Sequence, residues 1–149
     1  TLIGGGSGRA QRLLDAQIVA SDPAREFVRQ LDFVPQKALP EYLAQADLFV
    51  FASSCENMPI TLIEAMAVGL PIACSNRGPM PEVLNDGGVY FDPKDANSAA
   101  EAIEQIIQSS ELRLGIAHRA NFLSQQYNWK RCADETLAFV AQTYLRTKI

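Results

Sequence analysis

Residues 47–78 read DLFVFASSCENMPITLIEAMAVGLPIACSNRG, and this stretch decides the fold. Asp47 to Ala52 is an apolar run with aromatic and β-branched side chains, of the length expected of a strand buried on both faces of a parallel sheet. The polar loop Ser53 to Met58 follows, and Pro59 to Ala67 has helical spacing. Pro59 suits the first helical position, because its missing N–H would have had no intrahelical acceptor there. Gly69 supplies a left-handed residue past the last turn, and Leu70 to Cys74 resumes an apolar strand with Pro71 near its start. Strand, helix and strand in that order predict a parallel βαβ unit.

In an open parallel sheet, ligands sit outside the carboxyl ends of the strands, and the loop holding Glu56 leaves such an end. Glu64 stands eight residues later, on the helix, sharing a face with Ile60. The N–H groups at the start of that helix carry roughly half a positive charge and suit a phosphate. A carboxylate accepts hydrogen bonds and cannot donate them, so Glu56 and Glu64 are fitted to hold vicinal hydroxyls of a sugar or a ribose. A diphosphate joining two polyols meets all three features. The plainer alternative makes Glu56 a helix cap and Glu64 a solvated helix acid.

The string ENMPITLIEAMAVGLPI, residues 56–72, resembles the E-x7-E signature of retaining GT-B glycosyltransferases, glycosyltransferase family 4 in particular, with its following E-A-M-x-x-G-x-P. That resemblance implies transfer of a sugar from a nucleotide-diphosphate sugar to an acceptor hydroxyl with retention of configuration, a hexosyl transfer that needs no metal or other cofactor. It implies that Glu56 is catalytic and touches the donor sugar. Asn57, Met58, Ile60 and Thr61 would surround the sugar and diphosphate, largely through backbone amides, and Glu64 would bind the ribose of a UDP- or GDP-linked donor. Many relatives carry Gly-Phe-Gly where this chain has Asn57-Met58-Pro59, so an amide contact at position 59 is lost. In relatives the Arg and Lys that hold the diphosphate precede the position matching residue 1, and a separate N-terminal domain binds the acceptor. Thr1-Leu2-Ile3 also starts abruptly inside an apolar strand. The expectation is therefore that residues 1–149 are a donor-binding domain without its first strand and acceptor domain, inactive alone.

Composition sets the outer bounds. The 149 residues suffice for one domain with a sizeable core, and 48% hydrophobic with 20% charged residues is ordinary for an α/β protein. A net charge of −4 argues against nucleic acid as the main partner. No apolar run approaches the roughly 20 residues that span a bilayer, and no signal peptide is visible, so a cytoplasmic location is expected. Cys55, Cys74 and Cys132 form no C-x-x-C pair and read as reduced thiols; the one histidine, His118, sits in a helical pattern and gives neither Cys55 nor a serine an evident base. There is no Asp-x-Asp motif and no metal-ligand spacing.

The remaining chain completes the pattern. Gly4-Gly5-Gly6-Ser7-Gly8 follows a strand and precedes a helix over Arg9–Ala20, but Arg9 stands where a dinucleotide fingerprint needs its third glycine. Gly5 and Gly6 are thus site-adjacent at most, the alternative being a tight turn. A helical piece over Arg25–Gln30 leads to a strand Leu31–Pro35; in the resembled family the loop after it nears the base, which would involve Val34 and Pro35. Leu39–Ala46 reads as a helix with Leu39, Tyr42, Leu43 and Ala46 facing the core. Arg77, in the loop after the Cys74 strand, is a candidate phosphate ligand or a solvated arginine. Val89–Phe91 is the last strand, followed by three helical stripes, of which the third runs through Ala133, Leu137, Val140, Ala141 and Tyr144.

The expected architecture is an α/β, doubly wound, Rossmann-like and mostly parallel sheet, the C-terminal half of a GT-B fold, with C-terminal helices. Strands are expected near residues 1–4, 31–34, 48–52, 70–74 and 88–91. The rival functions are a non-catalytic nucleotide-sugar sensing module, and a dinucleotide oxidoreductase that would lack both the third glycine and a substrate histidine.

Overall fold

Alternating short apolar runs and helical stripes produce alternating strands and helices. The computed structural model describes residues 1–146. Among the described residues there are five strands: β1 (Leu2–Ile3), β2 (Gln30–Leu31), β3 (Phe49–Phe51), β4 (Ile72–Ser75) and β5 (Val89–Phe91). The helices are α1 (Gly8–Ser21), α2 (Leu39–Ala44), α3 (Ile60–Val68), α4 (Met80–Leu84), α5 (Ala96–Gln108), α6 (Ser110–Ser124) and α7 (Trp129–Arg146). Every strand pair is parallel, in a two-stranded sheet β1-β2 and a three-stranded sheet β3-β4-β5. The chain divides into two compact units, one over Thr1–Tyr42 and one from Leu43 onward.

In the first unit, β1 and β2 pair with Leu2 opposite Gln30 and Ile3 opposite Leu31. Arg25–Gln30 is not the helical piece that its composition suggests. Asp22 is buried, and its carboxylate accepts the N–H groups of Glu26, Phe27 and Val28 at 2.8, 3.0 and 2.7 Å, while Arg25 takes a left-handed φ of 54°. One side chain gathers donors that a helix would have sent to carbonyls, and the segment turns instead. Burial alone would raise the Asp22 pKa, but the three donors bring it below the ordinary carboxylate value. β2 ends at Leu31, so Val34 and Pro35 lie in the following loop.

In the second unit β4 is central, and all four of its residues are buried. β3 lies at the sheet's edge with Val50 43% exposed, so it is not the doubly buried strand its apolar run implied. The core beside the sheet joins Ala73 and Phe91 to Ala102, Ile106 and Ile116 from α5 and α6. Gly88 admits this packing, since a Cβ there would stand 2.6 Å from a Leu84 methyl and 2.7 Å from the Ile72 carbonyl oxygen. Asp95 caps α5 by accepting the Asn97 N–H at 2.9 Å, and Ser109 caps α6 through the Leu112 N–H at 3.2 Å. α6 begins at Ser110, directly behind that cap. The third stripe differs from expectation: no residue of α7 is buried, and Leu137, Val140 and Tyr144 are all more than half exposed. It is amphipathic, but nothing among the described residues covers its apolar side.

Candidate active site

β3, β4 and β5 run in parallel, with Phe51 opposite Cys74 and Ser75 opposite Phe91, so the loops after them leave one end of the sheet together. The first of these loops carries Glu56 and ends at α3. The second carries Arg77 and Gly78, and the third begins at Asp92. They touch: a Cβ on Gly78, which has a φ of 55°, would lie 3.9 Å from the Glu56 nitrogen, and the Asn76 N–H donates to the Phe91 carbonyl at 2.9 Å.

The start of α3 is unusual. Pro59 is the N-cap, one position earlier than the first helical residue, with φ −81° and ψ 74°. That ψ is not helical. It closes an inverse γ-turn in which the Ile60 N–H donates back to the Met58 carbonyl at 2.9 Å. The Ile63 N–H is the first to reach a helical acceptor, the Pro59 carbonyl, at 3.2 Å. The N-cap residue makes no side-chain cap, and the first turn holds no acid. Pro59 itself is fully buried, whereas Asn57, Met58, Ile60 and Thr61 are exposed. The backbone terminus is thus pinned from beneath and open from above.

Glu56 and Glu64 are both half-buried. Glu64 stands one turn inside α3, roughly 6 Å along the axis from Ile60 at 1.5 Å per residue. The acids therefore stand before and after an uncapped helix start. Arg77 has a partner: its guanidinium donates to the Asp92 carboxylate at 2.8 Å, and its N–H donates to Ser75 Oγ at 3.2 Å. The Lys94 N–H first, and then the Arg77 guanidinium, hold the Asp92 carboxyl below its ordinary value against the opposing effect of burial. Asp92 is not among the residues that the sequence singles out. Its position at the carboxyl end of β5, next to β4, is the signal that would have paired it with Arg77.

Asn57, Met58, Ile60, Thr61, Glu56, Glu64 and Arg77 all belong to the second unit, at or near the loop end of its sheet. Gly5, Gly6, Val34 and Pro35 belong to the first unit. There the Gly6 N–H donates to Gln11 Oε1 at 3.1 Å, and a Cβ on Gly5 would press on the Asp32 carbonyl oxygen at 3.0 Å, so the glycines already serve a tight turn. An open cleft of about 570 Å³ lies between Met58, Ile60 and Ile63 and the start of α7 at Trp129 and Cys132. Neither glutamate lines it, nor does Thr61. Cys74 is sealed within β4, and burial pushes its thiol up to about 12.

Residues 3–123 match the family model of glycosyl transferases group 1. The chain belongs to that family. It is 32% identical over 121 residues to O-antigen chain mannosyltransferase B of Escherichia coli, covering 81% of this chain and 32% of that protein. It is 35% identical over 121 residues to spore coat protein SA of Bacillus subtilis strain 168, covering 76% and 32%. The chain thus spans about a third of the length of these relatives. Among solved structures, sucrose-phosphate synthase of Thermosynechococcus elongatus superposes with a TM-score of 0.83 at 24% identity over 97% of this chain and 38% of that one. Anabaena HepE, solved in complex with UDP-glucose, superposes with a TM-score of 0.79 at 20% identity over 95% and 40%. These two likenesses establish the fold, a Rossmann-like α/β glycosyltransferase domain of GT-B type. Among the described residues, no helix of this group 1 glycosyltransferase chain is long and apolar enough to cross a membrane.

Proposed function

We propose that this chain holds the donor in a retaining, family 4-type transfer of a hexosyl unit from a UDP- or GDP-linked sugar to an acceptor hydroxyl. One observation carries the reading. Two half-buried acids, eight residues apart, flank a helix start whose N-cap, Pro59, makes no side-chain cap, at the carboxyl ends of parallel strands. Glu56 holds hydroxyls of the sugar and is the catalytic acid of the set. Asn57, Met58, Ile60 and Thr61 surround the sugar and diphosphate, and Glu64 accepts from the ribose. As the bond between sugar and diphosphate breaks, negative charge grows on the diphosphate, and the open start of α3 stabilises it together with cations of the intact protein. No metal takes part. The acceptor is bound by a separate domain of the intact protein, which acts in a reducing compartment such as the cytoplasm. This chain on its own turns nothing over. The mannosyltransferase relative and the UDP-glucose bound to HepE support a nucleotide-sugar donor.

Calorimetric titration of the intact protein with UDP- and GDP-sugars, and with NADH as control, tests the reading. Binding of one nucleotide sugar and not of NADH is expected. Tight NADH binding, or no response to any nucleotide sugar, contradicts it.

A further inference from the structure

The loop that carries Glu56 has little of its own to hold it. Its far end is tied where the Ile60 N–H donates to the Met58 carbonyl at 2.9 Å. Nearer β3, Ser53 Oγ donates to the Cys55 carbonyl at a long 3.4 Å, and Glu56 itself forms no hydrogen bond among the described residues. A carboxylate that must meet a substrate in one geometry needs support from a neighbouring element.

The loop after β4 is built as that support. It is fastened to the end of β5 twice: the Asn76 N–H donates to the Phe91 carbonyl at 2.9 Å, and the Arg77 guanidinium donates to the Asp92 carboxylate at 2.8 Å. The Arg77 N–H also donates to Oγ of the buried Ser75 at 3.2 Å. Asp92 is fixed in turn, because its carboxylate accepts the Lys94 N–H at 3.0 Å and its own N–H donates to Ser98 Oγ of α5 at 3.2 Å. The residue after Arg77 is Gly78, which lies against the Glu56 backbone: a Cβ on it would stand 3.9 Å from the Glu56 nitrogen. From α5 a line of contacts therefore runs through Asp92, Arg77 and Gly78 to Glu56. The Arg77 charge is matched by Asp92, so the pair brings no net charge to a diphosphate.

We propose that Arg77 is a positioning residue for Glu56: pinned to Asp92, it holds the loop after β4 against the Glu56 backbone and so fixes where that carboxylate meets the sugar. This rests on the donor-binding reading and adds to it a residue that acts through another, without touching the donor. The two side chains are 50% and 37% exposed, so the pair contributes little to stability. A displacement of about 1 Å at a group that meets the substrate, however, can slow a reaction about 100-fold.

The test is a double-mutant cycle in the intact protein, read by turnover of UDP- and GDP-linked hexoses and by calorimetric affinity for the same donors, UDP and GDP. Arg77→Met removes the ion pair, and Arg77→Lys keeps a charge for Asp92. Arg77→Met is expected to lower kcat about tenfold and nucleotide-sugar affinity about fivefold, and Arg77→Lys to lower each at most about twofold. Affinity for UDP and GDP and the melting temperature stay at their wild-type values. In a Glu56→Gln background, with no carboxylate left to position, Arg77→Met changes either readout by less than about twofold. Full losses in that background, or a fall in UDP or GDP affinity, overturn the inference, since they mark a direct contact or a general structural role. Unchanged turnover and affinity in Arg77→Met overturn it too and leave the donor reading standing. If wild type neither binds nor consumes any of these nucleotide sugars, the donor reading itself fails and this inference with it.

Discussion

Helices α3 and α5 both follow a strand of the same sheet, and they begin in opposite ways. At α5 the chain places Asp95, whose carboxylate takes up the Asn97 N–H, and the terminus is finished internally. At α3 it places a buried proline in a γ-turn and leaves the helix without a side-chain cap. A good cap contributes about 1 kcal/mol, so an uncapped start between two half-buried acids costs stability unless something from outside completes it. α5 is finished by its own chain, whereas the start of α3 is where the proposed function puts the donor.

On the proposed function, removing the Glu56 carboxylate should have the largest effect. Glu56→Gln in the intact protein is expected to cut turnover about 100-fold in a donor-consumption assay, while Asp95→Ala leaves turnover unchanged. Comparable losses from both would erase the distinction between the two helix starts. Glu64→Gln should weaken UDP or GDP binding about tenfold by calorimetry, through the ribose, without slowing saturated turnover to the same degree. Asp95→Ala should lower unfolding stability by about 1 kcal/mol in urea and leave donor affinity alone. The smallest effect concerns acid. Asp22, Asp86 and Asp92 all have carboxyls held below their usual value of 3.8. Their contribution is present above that pH and fades as pH falls through the lower folded-state values. Melting temperature should therefore drop below about pH 4, and more shallowly in Asp86→Asn, which removes the titrating carboxylate paired with Arg119 at 2.6 Å.

The βαβ core was legible in the sequence because its signals are local: apolar runs of strand length, Gly69 as a left-handed stop with φ 82°, and Ser109 ahead of a helical stripe. The glutamate spacing was legible for the same reason. What escaped depends on partners distant in sequence or on a single side chain. Arg25–Gln30 has helical composition, but Asp22 draws its amides away. Val50 reads as core yet lies on an edge strand, and the stripe of α7 reads as core yet meets no cover among the described residues. The γ-turn at Pro59 was half legible: proline declared the missing N–H, but only coordinates reveal that Ile60 gives its own N–H to Met58.

The most direct test is a structure of the intact protein with an unhydrolysed nucleotide sugar. The account predicts diphosphate oxygens within about 3 Å of the Thr61 amide, the ribose hydroxyls on Glu64 and the sugar hydroxyls on Glu56. A donor bound with its diphosphate away from the start of α3, or with either glutamate turned to bulk solvent, would contradict it.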